Sequence, residues 1–409
     1  MVNVRLLHGD AVEMLAILPA ESVHCCVTSP PYWGLRDYGV DGQLGLEPTP
    51  ELYVEHLVAV MREVKRVLRK DGTLWLNLGD SYNASPRGSN TGIAKSTLSK
   101  RTNGQISARF AANPIRKEHR DFGNLKPKDL CGIPWRVAFA LQADGWWLRS
   151  DIIWAKPNPM PESVTDRPTR SHEYVFLLTK SKSYYFDQEA VREPVSPNWE
   201  RGAGPPMPEL GKHVATEGRR GHQVRRVYDE AKGRNIPSVW TIATQPYRGA
   251  HFATFPEKLV EPCIKAGTSE KGCCPKCGAP QQRIVIVVGH QVTPAMKVAG
   301  CNKDGGYDGG EQKDYNAARA QHPSETKRRI LDTMSRIVEQ TWRPICSCNA
   351  GDPVPCTVLD PFIGSGTTAM VAAKLGRDCI GIDAKVEYLD MAKKRIEDEV
   401  GFLAEVTCE

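Results

Sequence analysis

The chain has 409 residues, 40% of them hydrophobic, which suits one large α/β domain with insertions, or two domains, around a real core. No run is long and apolar enough to span a membrane, and Met1-Val2-Asn3-Val4-Arg5 lacks the apolar region of a secretory leader, so a cytoplasmic location is expected. A formal net charge of +6 permits a nucleic-acid partner without demanding one, and thirteen cysteines at this length argue for buried small hydrophobes and metal ligands rather than a disulfide framework.

In chain order, residues 2–8 read as a strand ending at Gly9-Asp10, where Asp10 can cap a short helix that Pro19 ends. His24 to Val27 is a second strand and delivers Thr28-Ser29-Pro30-Pro31-Tyr32-Trp33 at its carboxyl end, where ligand sites of open α/β sheets lie. Leu57, Val60, Met61, Val64, Val67 and Leu68 recur at helical spacing, so 51–69 is an amphipathic helix, and Asp71-Gly72 turns the chain into a strand over 73–78. Residues 83–128 carry ten Lys/Arg against two acidic residues and are too polar to build a core. A helix near 130–143 and strands over 147–154 and 172–179 follow, the last extended as a hairpin by Tyr184-Tyr185-Phe186-Asp187. Residues 191–235 are Pro/Gly/Arg-rich, with four arginines in 219–226; a helix spans 256–266, and 270–350 is a cysteine-bearing insertion. The last sixty residues read strand, helix, strand, helix.

Two motifs carry chemistry. In Asp360-Pro361-Phe362-Ile363-Gly364-Ser365-Gly366-Thr367-Thr368, a buried strand runs into a turn whose glycines let backbone approach a ligand. No Lys follows the second Gly, so this is not a Walker A loop, and the full dinucleotide fingerprint is absent. Asp383, at the end of the next strand, can accept both ribose hydroxyls of a nucleoside. In the early motif, Ser29 Oγ and the Pro30 carbonyl can accept from an exocyclic amine and localise its lone pair. Pro30 and Pro31 leave no N–H to compete, and Tyr32 offers a face for a flipped base. Cytosine C5 chemistry would need a thiolate in a Pro-Cys-Gln setting; Pro262-Cys263-Ile264 and Pro355-Cys356-Thr357 do not fit.

The order of these motifs, amine pocket before Gly-rich loop, resembles the permuted beta group of DNA amino-methyltransferases. Further stretches at Gly72–Tyr82, Arg167–Tyr174 and His251–Leu259 look like segments of the same family. The resemblance implies a Rossmann-like, doubly wound and mostly parallel sheet that takes S-adenosylmethionine and acts on double-stranded DNA. It implies catalytic roles for Ser29, Pro30, Pro31 and Tyr32, and cofactor contacts from Asp10, Thr28, Phe255, Asp360, Phe362, Gly364, Gly366, Thr367 and Asp383. The family more often has Glu where this chain has Asp383. Ser before Pro-Pro favours cytosine N4 over adenine N6. An inactive nucleic-acid-binding relative and a protein-amide methyltransferase are the competing readings; the intact motifs oppose the first, and the motif order with two Arg-rich insertions opposes the second.

The expected organisation is a catalytic half (1–82), a basic insertion and candidate DNA contact (83–128), core continuation (129–190), an Arg-rich loop (191–235), a core segment beside the cofactor (236–269), the cysteine insertion (270–350) and the cofactor half (351–409). Cys274-Pro275-Lys276-Cys277 with Cys346-Ser347-Cys348 has the composition of a closed four-thiolate zinc site, with Cys273 and Cys301 as spare ligands. A redox Cys-x-x-Cys would need a thioredoxin-like context that this chain lacks.

Overall fold

The computed structural model describes residues 2–35, 37, 39, 42–83, 125–193, 234–245, 255–292 and 334–409. Most of the basic insertion, the arginines of 219–226 and Cys301 lie outside the described residues. The chain divides into two units, Met1–Ala190 with Pro237–Gln281 and Pro344–Glu409, and Val191–Ile236 with Gln282–Arg343.

The elements of the first unit begin with β1 (Val2–His8), α1 (Ala11–Ala16), β2 (Val23–Thr28), α2 (Pro50–Val67) and β3 (Leu68–Leu78). They continue with α3 (Ile133–Ala143), β4 (Trp147–Ala155), β5 (His172–Thr179), β6 (Val239–Thr241) and α4 (Glu257–Gly267). Then come β7 (Gln281–Val292) and β8 (Met334–Pro344), which pair as a separate two-stranded sheet. The chain returns through β9 (Thr357–Asp360), α5 (Thr367–Lys374), β10 (Asp378–Asp383), α6 (Val386–Val400) and β11 (Ala404–Cys408).

Among the described residues, nine strands form one sheet in the order β11-β1-β10-β9-β2-β3-β5-β4-β6. All its pairings are parallel except those of β5, which runs against both β3 and β4. β2 is buried at every position, as a central strand covered on both faces must be. Cys26, Leu74, Leu76 and Leu78 face the layer built by α1, α2 and α3, where they meet Leu15, Leu57, Met61, Val64, Val137 and Leu141. Cys25 and Thr73 face the other layer, against Gly267 at the end of α4, where a Cβ would come within 2.6 Å of both side chains. α5 packs between α4 and α6 there. α2 starts cleanly because Thr49 caps the Leu52 N–H and Pro50 takes the first turn.

The Tyr184–Asp187 stretch is not a strand. Its backbone bonds elsewhere: the Tyr185 N–H goes to the Asp71 carbonyl and the Asp187 N–H to that of Ala266.

Candidate active site

β9 pairs with β2, in register Cys25 to Val358 and Cys26 to Leu359, so the two motifs emerge side by side at the carboxyl end of the sheet. One buried carboxylate joins them. Asp360 Oδ1 accepts from Thr28 Oγ1 at 2.7 Å and from the Phe362 N–H at 3.1 Å, while Oδ2 accepts from Thr368 Oγ1 at 2.7 Å. Thr368 Oγ1 also reaches the Val27 carbonyl at 3.3 Å. Burial pushes the Asp360 carboxyl up to about 6, with the three hydrogen bonds opposing. Thr28 and Asp360 therefore spend their polar atoms on each other. Thr367 does likewise: its Oγ1 accepts from Arg395 Nη1 at 2.8 Å, and the same guanidinium holds Ser365.

The cofactor loop divides between packing and ligand approach. Gly366, at φ +80°, packs so tightly that a Cβ would lie 2.8 Å from Ala392 Cβ, so packing against α6 requires glycine there. Gly364, at φ +50°, has nothing within 4 Å of its Cβ position, which leaves a backbone surface that a ligand can approach. The Gly364 N–H donates to Asp383 Oδ2 at 3.0 Å and the Lys385 N–H to Oδ1 at 2.9 Å. Each oxygen keeps a lone pair for a hydroxyl, and burial raises the Asp383 carboxyl above its usual range. His8 lies in register with Asp383 on the neighbouring strand, which brings Asp10 to this edge, where its Oδ1 caps α1 through the Val12 and Glu13 N–H groups. Phe362 packs on the core and Phe255, half-buried, precedes α4. This donor set and the open Gly364 fit the nucleoside part of S-adenosylmethionine.

The Ser29-Pro30-Pro31-Tyr32 loop is held from several elements. The Tyr53 hydroxyl on α2 donates to the Pro31 carbonyl at 2.9 Å, and the buried Trp33 indole donates to the Glu47 carbonyl at 2.9 Å. Among the described residues, none donates to the Pro30 carbonyl. Ser29 Oγ lies 3.3 Å from the Tyr32 hydroxyl, which donates to Glu173 Oε2 at 2.7 Å. Asn77 Nδ2 contacts all three: Tyr32 at 2.8 Å, Glu173 at 3.1 Å and Ser29 at 3.3 Å. Lys156 is ion-paired with Glu173 Oε1. Burial, with the Glu173 charge behind it, holds the Tyr32 phenol well above its ordinary range. The ring lies over Gly79, where a Cβ would come within 2.5 Å of Cε2. Sequence reasoning missed Asn77, Lys156, Glu173 and Thr368. Asn77 and Glu173 sit in stretches that resemble the family, but nothing in the sequence told that they face Tyr32. Asp80, in the same stretch, instead accepts from the Ile133 N–H at the start of α3.

No low-pKa thiol competes for the chemistry on the catalytic strand. Burial pushes the Cys25 thiol up to about 12 and holds Cys26 well above its normal range.

The four predicted thiol ligands, Cys274, Cys277, Cys346 and Cys348, have sulfur atoms within 4.8 Å of one another. Tetrahedral zinc with Zn–S near 2.3 Å places sulfurs about 3.8 Å apart, so the cluster fits that ion. Backbone amides of Cys277 and Lys276 lower the Cys274 thiol to about 7. The knuckle docks on the core: Arg69 donates to the Cys277 carbonyl at 2.6 Å, and His24, at the start of β2, contacts the Gly278 carbonyl at 2.8 Å. A second group, His24 with Cys273 and Cys356, is also close-set. The Thr357 N–H donates to His24 Nδ1 at 3.0 Å, so Nε2 carries the proton that Gly278 receives. Both ring nitrogens are committed, and this group does not suit a metal.

One buried carboxylate thus joins the Gly-rich loop to the Ser29-Pro30-Pro31-Tyr32 loop. The model of a family described as DNA methylase matches residues 23–274 and 309–394, and the chain belongs to that N6/N4 DNA methylase family. It is an S-adenosylmethionine-dependent DNA methyltransferase. The chain is 47% identical to the Type II methyltransferase M.XycI of Xanthomonas campestris pv. cyanopsidis, over 96% of this chain and 88% of that one. It is 38% identical to M.Cfr9I of Citrobacter freundii, with the same coverage. It is 36% identical to M.SmaI of Serratia marcescens, over 96% and 90%. Among solved structures, the PvuII DNA methyltransferase (cytosine-N4-specific) aligns over 100% of this chain and 96% of that one, at 15% identity and TM-score 0.49. The putative DNA modification methylase TTHA0409 from Thermus thermophilus, complexed with S-adenosyl-L-methionine, aligns over 99% of both at 21% identity and TM-score 0.46. Among the described residues, no helix is long and apolar enough to cross a membrane.

Proposed function

We propose that the enzyme methylates the exocyclic N4 amine of cytosine in duplex DNA after flipping the base out of the stack. The observation that carries the reading is Ser29 in front of Pro30-Pro31-Tyr32. A short hydroxyl there, with the Pro30 carbonyl, offers two acceptors to an aromatic amine. The cofactor supplies a methyl group already activated on a sulfonium, so the protein's part is positioning and charge placement. Asp383, Gly364 and Asp10 are assigned to the nucleoside end of the cofactor and Phe255 and Phe362 to packing beside it. Thr28, Asp360, Gly366 and Thr367 shape and anchor the loop. Adenine N6 is the alternative product. The test is nucleoside analysis of duplex DNA treated with the enzyme and labelled cofactor: label in N4-methylcytosine supports the reading, and label in N6-methyladenine overturns it.

Cys274, Cys277, Cys346 and Cys348 are assigned to one structural zinc ion. Metal analysis of the purified protein is expected to find about one zinc per chain. A zinc-free protein made with adequate zinc refutes the assignment. The basic segments 83–128 and 219–226 are assigned to DNA phosphates on their charge alone. Neutralising Arg219, Arg220, Arg225 and Arg226 together is expected to weaken DNA binding across sequences and flatten its salt dependence. An unchanged slope removes that assignment.

A further inference from the structure

The polar groups behind Ser29 have a direction. A carboxylate can only accept, so Tyr32 must donate its proton to Glu173 Oε2, 2.7 Å away. The Tyr32 oxygen is then an acceptor, and it receives the Asn77 amide at 2.8 Å and the Ser29 hydroxyl at 3.3 Å. The Asn77 orientation follows from the same logic, since a flipped amide would set its oxygen 3.1 Å from the Glu173 carboxylate. Asn77 Oδ1 is then buried without a donor among the described residues, a further acceptor beside Ser29. Lys156 holds the far oxygen of Glu173, and both side chains are more than four-fifths buried. Every proton in the row therefore points from Ser29 toward Glu173. Asn77 Nδ2 also donates to Ser29 Oγ at 3.3 Å, which leaves that oxygen one lone pair for a substrate amine.

We infer that Glu173, held by Lys156 and Asn77, is the terminal proton acceptor of the methylation, reached from the substrate amine through Ser29 and Tyr32. As the nitrogen gains the methyl group it must lose one proton. An N–H proton passes to Ser29 Oγ, the Ser29 proton passes to Tyr32, and the Tyr32 proton passes to Glu173 Oε2. No other co-reactant is needed, and Glu173 returns its proton to water between turnovers. Before transfer, the same row polarises the Ser29 hydroxyl and makes its oxygen a better acceptor. Tyr32 stays a protonated phenol throughout the neutral range, which the row requires. Glu173 is a positioning and relay residue; the residue that meets the amine is Ser29.

The inference rests on the amino-methyltransferase reading but not on the choice of base. The experiment is single-turnover transfer of labelled methyl to duplex DNA from pH 5.5 to 9, with cofactor affinity measured calorimetrically on each variant. Glu173→Gln is expected to slow transfer on the order of 100-fold near pH 7 and to gain rate as pH rises, because hydroxide replaces the lost acceptor. Cofactor affinity should stay within about twofold. Tyr32→Phe keeps the ring and removes the relay, and should show the same loss and profile. The double variant should fall no further than either single one, whereas a merely structural role predicts additive losses. A Glu173→Gln enzyme that binds cofactor and transfers methyl with a wild-type rate and pH profile overturns the inference. If that variant loses cofactor binding through misfolding, Tyr32→Phe decides alone by the same criterion. Product identity is read separately, so a finding of N6-methyladenine would overturn the cytosine proposal and leave this one standing.

Discussion

The two halves of the site are stabilised in opposite ways. Around the Gly-rich loop, several polar side chains bond within the last sixty residues, Thr368 to Asp360 and Asp383 to the Gly364 and Lys385 amides, with Thr28 joining from β2. In the amine half, Ser29, Asn77, Lys156 and Glu173 come from four stretches and meet only because β5 is threaded backwards between β3 and β4. The first half is a local shape that can receive a ligand with little rearrangement. The second is a tertiary construction, assembled from β3, β5 and the end of β4 as well as the loop that follows β2.

That contrast can be broken by substitution. The largest effect on rate is expected at Tyr32→Ala, which removes the stacking face, the hydroxyl and the support of the Gly79 backbone together. Methyl transfer should fall on the order of 100- to 1,000-fold with cofactor affinity nearly unchanged. Equal losses in rate and cofactor binding would show that the halves are not separable. Asp383→Ala attacks the other side. It removes two charge-assisted hydrogen bonds worth roughly 1.5–3 kcal/mol each, so calorimetry should show cofactor binding weakened on the order of 100- to 10,000-fold. Saturating cofactor should restore most of the rate. Unchanged affinity would place the ribose elsewhere.

The smallest effect sharpens the comparison at the joint between the halves. The Asp360 carboxyl titrates near 6 in the folded chain and near its ordinary 3.8 when unfolded. Between those values the folded state binds the extra proton, so this group's contribution to stability rises as pH falls from 7 to 5, by about 1 kcal/mol. Asp360→Asn should remove that increment from the pH dependence of denaturant midpoints. A variant whose slope matches wild type would mean that Asp360 does not titrate in this window.

The contrast also explains what was legible in the sequence. The Gly-rich loop with Asp383, and Ser29-Pro30-Pro31-Tyr32, are short contiguous signals in which residue type and spacing determine local geometry. The mostly parallel sheet, which the resemblance implies, is what the structure shows. Glu173 and Lys156 carried no such signal, because a charged residue at a strand end looks the same whether it faces solvent or a tyrosine. β6 and β11 were missed for a related reason. Three residues, and an edge segment with alternating exposure, pattern too weakly to separate from loop. The ligand pairs of the cysteine segment fall with the first unit, on Arg69 and His24 of the core.

Transfer of a methyl group between two bound molecules is limited by the freedom each must give up before they align. The Thr28–Asp360–Thr368 node removes the protein's own share of that freedom. Two 2.7 Å hydrogen bonds to one buried carboxylate fix the root of the amine pocket against the root of the cofactor loop. That ordering is completed when the chain folds, before either substrate arrives. The reorganisation of the protein is thus settled once per protein molecule rather than once per turnover. Loosening the node with Thr368→Val should leave both ligands bound and the reaction slower, a loss of alignment rather than of affinity.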